Sequence, residues 1–108
     1  MKESRGQKKT IDYLVSQGAW TVKVIAANKT GVPDILACLP MTKDEILALD
    51  QEVIGVFVAI EQKAEDSRER NDRSEALQKR NISLIKKAGG LSGIAKTVRN
   101  VKRILGKL

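Results

Sequence analysis

Histidine is absent from these 108 residues, and cysteine occurs once, at Cys38. Those two scarcities exclude a zinc site of the His/Cys type and any nucleophile relayed through imidazole. A lone cysteine also excludes an internal disulfide and suits a reducing compartment; within Leu36-Ala37-Cys38-Leu39 it reads as core. Aromatic residues make up 3% of the chain, too few for a base-stacking platform, which disfavours RNA binding. No apolar run is long enough to span a bilayer, and the Met1-Lys2-Glu3-Ser4 start has no signal-like hydrophobic stretch. There is no internal repeat and no low-complexity linker. The expectation is a single cytoplasmic domain spanning 1–108 whose hydrolytic chemistry, if any, runs on carboxylates, lysine and a hard, oxygen-loving metal.

Basic residues are plentiful. The net charge is +7 with a pI near 9.8, which points to a polyanionic partner. From Ala76 onward there is no acid at all, against Lys79, Arg80, Lys86, Lys87, Lys96, Arg99, Lys102, Arg103 and Lys107. Lys2, Arg5, Lys8 and Lys9 add a second basic group at the start, while most acids gather from Asp34 to Glu75. A basic rim around an acidic centre suits a nuclease, since the rim holds phosphates and the centre holds metal. A solvated basic surface without a partner is the plain alternative.

The hydrophobic pattern predicts a helix over 2–17, with Gln7, Ile11, Leu14 and Val15 on one face and Gly18 closing it. Strands follow over 20–26 and 34–39, separated by turn-forming residues 28–33. Pro40 breaks the second strand, and Thr42 with Glu45 predicts a capping box for a short helix over 43–49. Residues 55–62, apolar on both faces, read as a strand central in a sheet. A charged loop over 64–71 leads to a helix over 72–88 closed by Gly89-Gly90, then a short strand over 92–96. A basic helix over 97–108 ends the chain, with Val98, Val101, Ile104 and Leu105 inward. This order predicts an α/β fold with helices flanking a mixed sheet.

Two short motifs carry the chemistry: Gly31-Val32-Pro33-Asp34 and Val58-Ala59-Ile60-Glu61-Gln62-Lys63. If Asp34 begins one strand, Glu61 ends the next and the two pair antiparallel, both carboxylates reach one end of the sheet. Alternation along the second strand puts Glu61 and Lys63 on one side and Gln62 on the other. Two carboxylates, a backbone carbonyl and water can hold Mg²⁺, which lowers the pKa of a bound water, while Lys63 orients or deprotonates that water or offsets charge on phosphorus. Glu3 falls on the Gln7–Ile11–Leu14 face and could point to the same place, although an acid in a first helical turn also answers the helix dipole. An acid-any-Lys triplet alone arises by chance in roughly half of chains this size. As strings these residues also fit a surface ion pair and an ordinary turn aspartate; order, spacing and strand context give them weight.

With those residues in view, nearly the whole chain resembles the PD-(D/E)xK nuclease superfamily, and within it the virus-type replication-repair nuclease (VRR-NUC) domain. The resemblance rests on the early helix with Glu3, on Gly31-Val32-Pro33-Asp34-Ile35-Leu36, on Phe57-Val58-Ala59-Ile60-Glu61-Gln62-Lys63-Ala64, and on a helix with Gln78 ending in Gly89-Gly90. It implies a restriction-endonuclease-like αβββαβ core with a mixed central sheet. It implies Mg²⁺ or Mn²⁺ on Asp34, Glu61 and the carbonyl of Gln62, with Glu3 as an accessory acid. Lys63 would be the catalytic lysine and Gln78 would position water or phosphate, its plain alternative being an exposed helix residue. Residues 41–53 look like an insertion between the two metal strands, and Ser74 stands four residues before Gln78 where the family pattern has Ser or Thr three before. A domain of this size is similar to phage and bacterial members.

The expected activity is a structure-specific DNA endonuclease; on four-way junctions, two symmetric cuts would require a homodimer. Alternatives are a monomeric flap or fork nuclease and a non-catalytic DNA-binding module on the same fold.

Overall fold

The computed structural model describes residues 2–66, 68 and 72–107, with side chains from Arg5 onward. Its order is α1 (Lys2–Ser16), β1 (Trp20–Lys23), β2 (Ile35–Cys38), α2 (Lys43–Leu47), β3 (Val58–Gln62), α3 (Arg73–Lys87), β4 (Leu91–Ala95) and α4 (Val98–Ile104). The chain is therefore mixed α/β. It divides into two compact units, residues 1–50 and 51–108. No helix among the described residues is long and apolar enough to cross a membrane.

In the first unit α1 ends as its residue types dictate. Gly18 takes φ +84°, and the amides of Gly18 and Ala19 donate back to the carbonyls of Val15 (3.0 Å) and Leu14 (3.1 Å). This double closure satisfies carbonyls that the helix would otherwise leave bare and needs a left-handed residue at the turn. Gln7, Ile11 and Leu14 are half-buried, but Val15 is 57% exposed. With 3.6 residues per turn it lies at the rim of the apolar stripe rather than within it. Strands β1 and β2 pair antiparallel, Trp20 opposite Cys38 through Lys23 opposite Ile35. Helix α1 packs on both strands, and Ala19 and Cys38 are buried there.

Helix α2 is five residues long and has no buried residue, so its cap matters more than its packing. The Thr42 amide donates to Glu45 Oε1 (2.8 Å) and the Glu45 amide to Thr42 Oγ1 (3.1 Å), the reciprocal capping box.

In the second unit β3 and β4 run parallel, Val58 opposite Leu91 through Gln62 opposite Ala95. The ladder continues one residue beyond β3 at each end, from the Leu91 amide to the Phe57 carbonyl and from the Lys63 amide to the Ala95 carbonyl, both 2.9 Å. The 15-residue α3 supplies the crossover that a parallel pair requires. Its Schellman closure matches that of α1: Gly89 at φ +96° and Gly90 donate to the carbonyls of Lys86 and Ile85. Ile85, Ala88, Ala95 and Ser92 are buried, and Ser92 Oγ donates to the Ala59 carbonyl at 2.7 Å, so its hydroxyl is satisfied inside. Helix α4 lies on β4, capped by Thr97 and Asn100.

Three expectations are corrected. Among the described residues the strand at Asp34 does not pair with the strand at Glu61; β2 takes β1 and β3 takes β4, giving two two-stranded sheets, one antiparallel and one parallel. The α3 crossover allows β3 a parallel partner further along the chain, which a reading by strand order alone overlooks. Residues 55–57 lie outside β3, and Val56 and Val58 are 60% and 44% exposed, so the apolar run does not make a strand buried on both faces. Val98 is 70% exposed, because the first turn of α4 follows the strand end directly; Val101, Ile104 and Leu105 are half-buried, and Ile104 packs over Gly93 of β4.

Two glycines separate local preference from packing. A Cβ at Gly93, in the middle of β4, would stand 2.8 Å from Ile104 Cδ1 and 3.0 Å from Cγ1, whereas one at Gly6 in α1 would meet nothing within 4 Å. Ile104 can swing its Cδ1 aside, but Cγ1 is held by a stiff χ1. Gly93→Ala is expected to cost about 1–2 kcal/mol and Gly6→Ala to stabilise by about 0.5–1 kcal/mol, both read by chemical denaturation. A second expectation concerns α2. The backbone hydrogen bond with Thr42, helped by the Thr42 side chain, holds the Glu45 carboxyl below its ordinary 4.5. A depressed value means the cap's contribution is whole above pH 4.5 and is lost as pH falls through the folded value, which titration of the Thr42 amide resonance will follow.

Candidate active site

Asp34 belongs to the first unit. It follows a turn in which Gly31 takes φ +81°, and its carbonyl accepts from the Val24 amide at 2.8 Å, extending the β1–β2 ladder by one step. That anchors an exposed carboxylate at the entry of β2. Gln7 of α1 donates from Nε2 to Asp34 Oδ2 at 3.2 Å. The early helix therefore meets this acid through an amide one turn after Glu3; the side chain of Glu3 lies outside the described residues.

Lys63 belongs to the second unit. Its amide is bound to β4, so its backbone is as fixed as the strand before it. Its Nζ donates to Gln78 Oε1 at 2.8 Å and lies 3.3 Å from Glu75 Oε1 and 3.7 Å from Glu61 Oε2. Strand alternation puts Glu61 on the same side as Lys63, and the i, i+3 spacing puts Glu75 and Gln78 on one face of α3. Gln62 turns away as alternation requires, its Nε2 donating to the carbonyls of Lys63 and Lys96, both at 3.2 Å. Asp72 caps α3 by accepting the Glu75 amide at 2.9 Å, which fixes the turn that carries the glutamate.

Exposure grades the cluster. The side chains of Glu75, Lys63 and Glu61 are 6%, 17% and 32% exposed. An ammonium has three donors. Gln78 takes one in a hydrogen bond, while Glu75 and Glu61 face the ammonium as ion partners at 3.3 and 3.7 Å. Donor capacity thus remains for an incoming oxygen beside Glu61, the most open carboxylate of the cluster. Such a group can hold a phosphoryl oxygen and offset charge developing on it.

Glu75 is the residue that reading the sequence missed. The signal was there: if Gln78 faces Lys63, the residue three before it shares that face. At that position this chain carries an acid. Among the described residues no three His, Cys, Asp or Glu side chains gather as a ready ligand set. The donors proposed for a metal are carboxylate and carbonyl oxygens, hard ligands that suit Mg²⁺ or Mn²⁺.

The cluster makes a thermodynamic prediction. Lys63→Met strands the Glu75 carboxylate and is expected to cost about 1–3 kcal/mol, less than a fully buried pair because Lys63 keeps some water. Adding Glu75→Gln to that variant restores part of the loss, and urea titrations of the two single variants and the double variant measure the coupling.

Comparison with known proteins adds no relative: no family model, no curated protein and no solved structure matches the chain.

Proposed function

We propose that this chain is a metal-dependent endonuclease that hydrolyses phosphodiester bonds in DNA, a VRR-NUC-like member of the PD-(D/E)xK nucleases with the restriction-endonuclease-like αβββαβ core. The observation that carries the reading is Lys63 at the end of β3, tied to the α3 glutamine Gln78 and standing beside Glu61. Acid, lysine and glutamine meet in the second unit although Gln78 lies 15 residues from Lys63.

On this reading Glu61 and the Gln62 carbonyl would be ligands of Mg²⁺ or Mn²⁺, and the resemblance assigns the same role to Asp34 and, as an accessory, to Glu3. When bound, the metal would supply Lewis-acid chemistry, acidifying a water and drawing charge from the phosphate. Lys63 donates to a phosphoryl oxygen, and Gln78 keeps the ammonium aimed. Arg80, Lys86 and Lys87 on α3 and Arg99, Lys102 and Arg103 on α4 are all exposed, in a stretch of chain without acids whose charge attracts a polyanionic backbone. The substrate proposed is branched DNA; paired cuts in a four-way junction need two sites, hence two copies of this chain.

The test is a cleavage panel of junction, flap, fork, linear duplex and single strand with Mg²⁺ or Mn²⁺. Wild type is expected to cut branched DNA, while Lys63→Ala, checked for folding by circular dichroism, cuts none and binds within about threefold of wild type, since a group acting in the transition state lowers turnover rather than affinity. Asp34→Ala is expected to match it. Binding without cleavage by wild type across every substrate and metal overturns the enzyme in favour of a DNA-binding module.

A further inference from the structure

Glu75 is the one charged side chain buried among the described residues, at 4% exposure. A buried ion pair is a poor stabilising device: desolvation offsets most of its attraction, and well-packed apolar groups of similar size often serve stability better. Its geometry suggests another use. Lysine carries its charge on a flexible four-carbon stem, so a lysine that must present one N–H in one direction needs restraint at the tip. Glu75 Oε1, 3.3 Å from Nζ, and Gln78 Oε1, 2.8 Å away, grip that tip from one face of α3. The Asp72 cap holds the turn beneath Glu75, and the Lys63 amide is tied to β4. The ammonium is thus restrained at both ends.

We propose that Glu75 is a positioning residue for Lys63: its carboxylate holds the ammonium beside Gln78 and Glu61, where the incoming phosphate would meet it. The proposal rests on the nuclease reading for the phosphate but not for the grip itself. Glu75 does not touch the substrate; it acts through Lys63, as a charge that an amide of the same shape lacks.

Two measurements on the full chain test it and separate its failure from that of the nuclease reading. In the first, ¹⁵N-lysine NMR of the free protein follows hydrogen exchange at the Lys63 ammonium, assigned with Lys63→Met. Wild type is expected to show a protected Lys63 signal. Glu75→Gln is expected to speed its exchange at least about tenfold, and Glu75→Asp, which keeps the charge on a shorter stem, to fall between, because protection reports the hydrogen-bonded state. In the second, junction-DNA cleavage with Mn²⁺ is expected to show kcat lowered at least about tenfold by Glu75→Gln with KM little changed, and partly restored in Glu75→Asp. Amide spectra and a denaturation curve establish that each variant is folded under assay conditions. Folded Glu75→Gln with wild-type Lys63 exchange, or with wild-type kcat, overturns the proposal. If wild type cuts no DNA, the nuclease reading fails while the exchange measurement still decides whether Glu75 holds Lys63.

Discussion

A carboxylate taken out of water must be answered by a cation, and in the second unit Lys63 answers Glu75. The rest of that unit is arranged so that the answer is always in reach. The parallel ladder carries the lysine backbone past the end of β3, and α3, capped by Asp72, brings its first turns back to the same place. Moving either element would leave a buried charge unmet. A cluster assembled from a strand end and a helix start therefore constrains two elements with one interaction.

What could be read from the sequence follows a physical division. Helix ends are local events, governed by residue types within a few positions. Thr42 with Glu45, Gly18 and Gly89 sit where caps and closures were expected, and α2 and α3 lie within one or two residues of their expected bounds. Strand ends and partners are not local. The β-branched run over 55–62 records an apolar preference but not how many neighbours it will have. Likewise nothing between Cys38 and Val58 states that β2 and β3 each pair elsewhere; that depends on the hairpin before one and the helix after the other.

The site divides in the same way. Alternation along β3 is enough to put Glu61 and Lys63 on one side. Helical phase is enough to relate Gln78 to the residue three before it, once the direction of either is known. What periodicity does not contain is burial: Glu75 reads as one more charged residue among Arg73, Lys79 and Arg80 until α3 is laid against β3. A charged helix opening has an ordinary explanation in the dipole, which hides the more demanding one. Gln7, an amide on the early helix, is hidden similarly behind the acid one turn before it.

The missing side chain at Gly93 has a consequence beyond close packing. Ile104 comes down where only a hydrogen fits, so any slip of β4 past α4 would bring a residue with a side chain beneath it. That makes the contact a gauge of how β4 sits along α4. The carbonyl that anchors the Lys63 amide belongs to Ala95, two residues further along the same strand. The strand that anchors the lysine is thus itself held against α4 by a notch in its opposite face, cut by an amino acid that contributes no atoms to the site.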